Sequence, residues 1–508
     1  MTTIILPIDP KYFWAIVALA GFVLAVAVVY AAMPRTEGKQ TDPLDRLKDI
    51  LGLAQFGDGL FLLLALMWSG LFLALFTGLL LMLWELIWFV VPQNPLSEAS
   101  ARFALLRLAA MTATLGAVVA LPFTLIRIRL TREANKTADE SLFNDKINAA
   151  TQDLHAMRQR WDGTQNIWED DITRRNAAID RLEGLVKERP DTAARVSRLL
   201  SVYVRELSRE VPPEIPPEDV ATKELRTWAQ GLTVKRSDME NAVQVLGRME
   251  DIEGVDPDSI TIDLRRANLQ GFDLNELKLS CARLSGARLQ GARLQRTQMQ
   301  DADLFEAKFQ GTYLFGTRLR SANLSEAQMQ AANLFGANMQ ETNLVAAQIQ
   351  GGDLKGADMQ GANLGEAQMQ QARLSGVLMQ GANLRRALLQ GADLVHVQMQ
   401  GANLADAQMQ GARLYWVRFD RSTNLSETDL TTSMLQEIDF SEVNIDREQL
   451  NSGFGFRGTN LPDGHGPECP VWPVHWPKIA LKDPESLTQW RKWQTDPDNY
   501  IPPTAPDE

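Results

Sequence analysis

GANLGEAQMQQARLSGVLMQ, residues 361–380, puts an apolar side chain at Leu364, Met369, Leu374 and Met379, with Ala362, Ala367, Ala372 and Val377 two residues before each. The period is five, which fits neither an amphipathic helix nor an alternating strand. Working outward, every fifth position from Leu264 to Phe419 is Leu, Met, Ile or Phe, 32 positions in succession. Self-similarity at a fixed spacing specifies a solenoid, in which each unit buries its apolar side chain against its neighbours. After Phe419 one extra residue shifts the frame, and Leu425, Leu430, Leu435, Phe440 and Ile445 continue it.

A longer period lies over the short one. Every twentieth residue from Leu264 to Leu404 is Leu, and so is every twentieth from Leu274 to Leu414; the positions between mix Leu with Met299, Phe309, Met339, Met359, Met379 and Met399. Ala322-Asn323-Leu324, Ala362-Asn363-Leu364 and Ala402-Asn403-Leu404 match the unit A-(D/N)-L-x-x, so the run resembles the pentapeptide-repeat family. The resemblance implies a right-handed quadrilateral parallel β-helix of four units per coil, with the central residue and the small residue two before it pointing inward. On that pattern 32 units make eight coils, and the shifted run about one more.

Glutamine follows the central residue in a ten-residue rhythm, at Gln300, Gln310, Gln330, Gln340, Gln350, Gln360, Gln370, Gln380, Gln390, Gln400 and Gln410. Folded into coils of twenty, these make two outward ladders on opposite sides. Stacked amides hydrogen-bond from coil to coil, and the same rows would serve as a polar docking surface.

The mean hydropathy of -0.17 averages an apolar N-terminal quarter with a polar remainder. Three stretches, about 12–32, 59–91 and 103–126, are long and apolar enough to span a bilayer. Basic residues follow the first at Arg35, Lys39, Arg46 and Lys48 and the third at Arg127, Arg129, Arg132 and Lys136. Because such residues mark cytoplasmic ends, residues 1–130 read as a three-span membrane domain with its N-terminus out, placing the rest in the cytoplasm at a bacterial inner membrane. Glu85 and Arg107 fall within the spans; they either pair at similar depth or reach toward the headgroups.

Residues 131–258 carry helical spacing in Ile179, Leu182, Leu185 and Val186 and again in Val196, Leu200 and Val204, so they read as a helical connector to the repeat domain at 262–450. Residues 451–508, rich in Gly, Pro and Trp at first, read as a cap with a tail, and resemble a segment that follows the repeats in many bacterial members of the family. A solenoid needs a cap, since an open edge recruits other strands.

The net charge of -12 argues against binding nucleic acid. Some members of the family bind DNA topoisomerases by imitating an acidic DNA rod, but residues 261–450 hold 18 Lys plus Arg against 21 Asp plus Glu, a mixed field. Cys281 and Cys469 form no metal-binding spacing, and no catalytic motif or cofactor-binding loop is present, so no enzyme, metal or cofactor is expected. The expected partners are the lipid bilayer and a cytoplasmic protein held by a scaffold. The alternative is a homo-oligomeric, membrane-active or channel-like assembly with the repeats as its sensor.

Overall fold

The computed structural model describes residues 43–51, 53–89, 98–218, 220–482 and 484–503. They fall into two units, divided in sequence between Asp145 and Lys146.

In the first unit, α1 (Pro43–Leu51) is short and α2 (Asp58–Phe89) is apolar throughout; α3 (Glu98–Asp153) runs for 56 residues, its last eight belonging to the second unit. Among the described residues two helices are long and apolar enough to cross a membrane, one along Gly59–Trp84 and one within Leu105–Asp153. The span expected at 12–32 lies outside the described residues. Trp68 Nε1 donates to the Val118 carbonyl at 3.1 Å, joining α2 to α3. Gly78 leaves room for the Met111 methyl, which would stand 2.6 Å from a Cβ there.

The expected end of the third span near Ile126 is not a helix end. Nothing from Arg127 to Asp153 stops a helix, because the stretch has no Gly or Pro and is rich in Arg, Glu, Lys and Ala. Ion pairs at i,i+4, Arg129–Glu133 at 2.7 Å and Lys136–Glu140 at 3.9 Å, support it.

The second unit opens with an antiparallel hairpin that the sequence did not announce, β1 (Met157–Trp161) and β2 (Asn166–Asp170). Asp162 shapes its turn by accepting from Thr164 and Gln165 backbone N–H groups at 2.8 and 2.9 Å. Helices α4 (Ile172–Glu188), α5 (Ala193–Glu210) and α7 (Ser237–Arg248) pack together through Ile179, Leu182, Val196, Leu200, Val243 and Leu246, all inaccessible to solvent. Asp171 caps α4 by accepting from Arg174 N–H. Between α5 and α7 lies a shorter helix, α6 (Thr222–Gln230).

From Asp263 onward the backbone pairs with itself twenty residues later, in parallel, at Asp263 with Arg283, Asn268 with Arg288, Asp273 with Arg293 and Lys278 with Gln298, and so on up the stack. After the frame shift the offset becomes 21, as at Asn403 with Asn424 and Gln408 with Asp429. Each central N–H donates to the coil above, Leu264 to Arg283 O and Leu344 to Asn363 O at 2.8 and 2.7 Å. Each side ends in a turn closed by a bond such as Ala267 N–H to Leu264 O at 3.0 Å. The turn's third residue takes positive φ, with values such as 58° at Arg266, 57° at Glu341 and 62° at Gly336. The central residues and the alanines two before them make one continuous core, with Leu364, Met369, Leu374 and Met379 at zero exposure. Each such side chain contributes about 1.5–3 kcal/mol. Where threonine replaces alanine, its hydroxyl adds a bond to the preceding coil, as from Thr342 to Leu319 O at 2.8 Å.

Strands β3 (Asp393–Val395), β4 (Arg413–Tyr415), β5 (Met434–Gln436) and β6 (Phe454–Gly455) pair in that order along one side. The short helix α8 (Arg447–Asn451) leads into β6, and α9 (Glu485–Thr495) packs Trp490 and Trp493 onto Met434, Phe454 and Phe456. Trp490 Nε1 donates to Thr432 O at 2.9 Å. The Trp476 ring lies flush on Gly455, where a Cβ would come within 2.2 Å of it. This aromatic cluster closes the last coil.

Candidate interaction surface

The outer surface is built of side-chain columns, one residue per coil. The amide ladder expected of the glutamines is made by asparagines one position before the central leucine. Asn343 donates to Asn323, Asn383 to Asn363, Asn403 to Asn383 and Asn424 to Asn403, at 2.9–3.4 Å. The glutamines sit beside the corners, and their longer side chains reach diagonally instead. Gln310 donates to Gln328, Gln330 to Gln348, Gln350 to Gln368, Gln380 to Gln398 and Gln390 to Gln408, at 2.6–2.8 Å. Gln340 donates to Asp358 and Gln410 to Asp429. The rows are therefore less outward than expected: Gln310 is 4% exposed, and the other ten are half-buried.

The frame shift has its own fastening. Asp420 accepts from Gly401 and Ser422 N–H at 2.9 and 3.0 Å and from the Ser422 and Thr423 hydroxyls at 2.7 and 3.0 Å. These donors, Ser422 foremost, lower its carboxyl to about 2.

One corner column is occupied by the chain itself. The strap after α5 hydrogen-bonds to the first coil, with Glu214 N–H donating to Gln270 Oε1 at 2.9 Å. Helix α6 then lies along Gly351, Ala331, Gly311 and Gly291. A Cβ at Gly311 would stand 2.4 Å from Ala229 Cβ, and one at Gly351 would stand 2.5 Å from the Thr222 hydroxyl. Arg226 Nε donates to Ala331 O at 3.3 Å. The seated residues, Thr222, Arg226 and Ala229, follow helical spacing, so each turn of about 5.4 Å meets one coil of about 4.8 Å.

A charge-balanced network ties β2, α4, α5 and the start of α7 together. Asp238, fully buried, accepts from Tyr203 Oη at 2.6 Å and from Arg236 Nε at 2.9 Å. Arg236 also reaches Asp170 at 2.6 Å, and Arg175 binds the other oxygen of Asp170. Burial pushes the Asp238 carboxyl up, but the bonds from Arg236 and Tyr203 outweigh it and hold the group below the usual carboxylate range. Burial and the Asp238 carboxylate push the Tyr203 phenol up.

Other parts of the surface are apolar and uncovered. Phe315 and Phe335 stack at 5.6 Å on adjacent coils and are 39% and 45% exposed. Four coils above Phe335, on the same edge, Trp416 is 46% exposed and clusters with Tyr415 and His396. On the hairpin, Trp161 and Trp168 are exposed on one face. An open groove of about 570 Å³ runs past Arg266, Arg288 and Lys308, with Glu306 and Glu326 among its walls. Only the positions beside the corners, rather than any motif, could have signalled these aromatics in the sequence.

Of the expected intramembrane pair, Arg107 is exposed on α3, whereas the Glu85 side chain lies outside the described residues. Cys281 and Cys469 are unpaired thiols. Among the described residues no group of three or more His, Cys, Asp or Glu is placed to hold a metal ion.

Residues 262–421 match the family model described as pentapeptide repeats, in eight copies. That segment is a pentapeptide-repeat solenoid. Three solved structures are similar. HetL, a pentapeptide repeat protein involved in heterocyst differentiation regulation from the cyanobacterium Nostoc sp. strain PCC 7120, is 27% identical over 41% of this chain and 94% of its own, with a TM-score of 0.28. A pentapeptide repeat protein of the Arabidopsis thaliana thylakoid lumen is 26% identical over 20% and 66%, with a TM-score of 0.14. QnrB1, a plasmid-mediated fluoroquinolone resistance protein, is 12% identical over 39% and 93%, with a TM-score of 0.23. No curated protein matches the chain.

Proposed function

We propose that this protein is a membrane-tethered scaffold of a bacterial inner membrane. Its N-terminus lies outside, and its repeats, wound as a right-handed quadrilateral parallel β-helix, bind a protein partner on the cytoplasmic side. The observation that carries the reading is the pre-organised outer surface of the coils. The Asn ladder and the diagonal Gln bonds hold outer side chains in place before any partner arrives, which reduces the ordering cost of association. Tethering is supported by the apolar lengths of α2 and α3 and by Arg127, Arg129, Arg132 and Lys136 after the second apolar stretch.

The test is photo-crosslinking in cells from Gln348 and Gln360 on the outer columns. Recovery of the same foreign protein from both positions is the expected result. Capture of nothing but the protein itself from both would overturn the scaffold reading. A membrane-active assembly has one observation in its favour, the exposed Arg107 inside an apolar stretch. On the scaffold reading, Arg107→Ala leaves ion permeability unchanged.

A further inference from the structure

One column of the stack offers hydrogen-bond donors on five successive coils. It carries Arg288, Lys308, Gln328, Gln348 and Gln368, and ends above them at Leu388. These side chains line the open groove of about 570 Å³, with Arg266, Glu306 and Glu326 on the corner beside them. Gln310, Gln330 and Gln350 donate to the Oε1 atoms of Gln328, Gln348 and Gln368 at 2.6–2.7 Å, which leaves the column's Nε2 groups without an acceptor among the described residues. The sense of these amides is set at the top of the row, where Gln410 meets the Asp429 carboxylate, which only accepts. The reverse sense would enclose two-donor Nε2 groups where the Oε1 atoms of Gln310, Gln330 and Gln350 now lie buried. Arg288 and Lys308 can only donate. The Asn column has no such surplus, because Asn383 donates to Asn363 and accepts from Asn403.

A line of donors selects a line of acceptors, and the spacing selects its carrier. Successive donors stand about 4.8 Å apart, and Arg288 and Gln368 about 19 Å. An extended chain repeats on one side every ~6.8 Å and falls out of step within two coils, whereas a helix advances about 5.4 Å per turn. On the adjoining corner α6 runs along the stack in this way, with Ala229 against Gly311 and Thr222 against Gly351. The exposed carboxylates of Glu306 and Glu326 beside the column, and the net charge of -12, oppose a continuous phosphate chain. They favour a ligand whose acidic line is flanked by basic residues.

We infer that the groove past Arg288, Lys308, Gln328, Gln348 and Gln368 binds a partner protein through an α-helix bearing a single line of Asp or Glu, with Lys or Arg beside it. The helix lies along the stack. Its carboxylates accept from the column, one turn to a coil, and its flanking cations meet Glu306 and Glu326. The inference rests on the scaffold reading and names the chemistry of the partner's docking segment.

The experiment uses two synthetic peptides of about 18 residues, long enough to cover the five coils as helices. Both are alanine-based and of one composition. In the first, Glu recurs at i,i+3 and i,i+4 spacing along one line with Lys beside it; in the second, Glu and Lys are interchanged. Binding to the full-length protein in lipid nanodiscs is read by fluorescence anisotropy. The peptide with the Glu line should bind at least about tenfold more tightly, and Lys308→Glu or Gln348→Glu should each remove that preference. Lys355→Glu, the same reversal on another corner, should keep it. Unchanged melting temperatures for the two groove variants separate lost recognition from unfolding. Equal binding of the two peptides, binding of neither, preference for the Lys line, or displacement of the peptide by a short single-stranded oligonucleotide would each overturn the inference. The peptides need no cellular partner, so failure here beside capture of a foreign protein in cells removes the acidic helix and leaves the scaffold.

Discussion

A leucine at the centre of a repeat unit touches its counterparts above and below as well as the facing sides of its own coil. Leu364 is enclosed in this way, and the coils on either side are fixed by their own hydrogen bonds, so they cannot collapse into a void. Leu364→Ala should therefore destabilise the solenoid by about 2–5 kcal/mol, while Leu364→Met, which matches the residues on the neighbouring sides, should cost less than about 1.5 kcal/mol. Urea unfolding of the two variants checks the difference. A second single-residue effect lies in the cap. His475 stacks on Trp493 at 5.2 Å and hydrogen-bonds to Gly453 O at 2.8 Å. Burial lowers its pKa, and the bond to the carbonyl offsets this only in part. The folded cap thus holds the ring neutral where the unfolded chain would already bind a proton. Its contribution is complete above the ordinary histidine value of about 6.5 and is lost as pH falls below it. Proton exchange at the Trp490 and Trp493 indoles should speed up between pH 7 and pH 5 beyond what the chemistry of exchange accounts for, and His475→Gln should flatten that change.

At the scale of the element, the helices of the second unit pack through an apolar core and are also tied by one buried ionic knot. Asp238→Ala strips Arg236 of its main partner while leaving it enclosed and still bound to Asp170, and it removes the acceptor of Tyr203. Breaking a buried pair from one side costs about 3–5 kcal/mol. Hydrogen exchange should show α5 and α7 loosening together, with the distal coils unchanged. The knot was not legible in the sequence, because Asp170, Arg175, Tyr203, Arg236 and Asp238 share no motif and meet only through tertiary packing. The helices themselves were legible from their apolar spacing, since Leu182 and Val186 bury as their period requires. The residues beyond the third apolar stretch read as helical but not as one helix with it; they are continuous in α3 because a switch from apolar to charged residues changes the solvent, not the backbone preference. The Gln side chains do hydrogen-bond from coil to coil, but diagonally rather than up their own rows. Coil spacing alone suggests vertical stacking, but side-chain length decides it: Asn reaches its counterpart above, whereas Gln beside a corner meets a different residue of the next coil.

For the whole molecule, the twenty-residue period matters more than the length of the stack, because stability in a solenoid is close to a sum of coils and the interfaces between them. Removing residues 364–383 deletes one coil and joins Asn363 to Leu384. Every leucine column, the Asn ladder and the corner glycines then meet their own kind again. Removing only 364–368 takes out a quarter as many residues but turns everything above by one side. Leucine columns would then run into the sides that carry Met369 and Met379, Asn363 would lie under Leu388 instead of Asn383, and the aromatic cap would sit a quarter turn out of place. The larger deletion should keep a single cooperative transition with its midpoint lowered by the loss of one coil. The smaller should lower the midpoint further and expose apolar surface to a hydrophobic dye. Thermal melts of the two variants, followed by circular dichroism, measure the order. A larger loss for the twenty-residue deletion would mean that coil number, rather than the matching of sides, sets the stability of this stack.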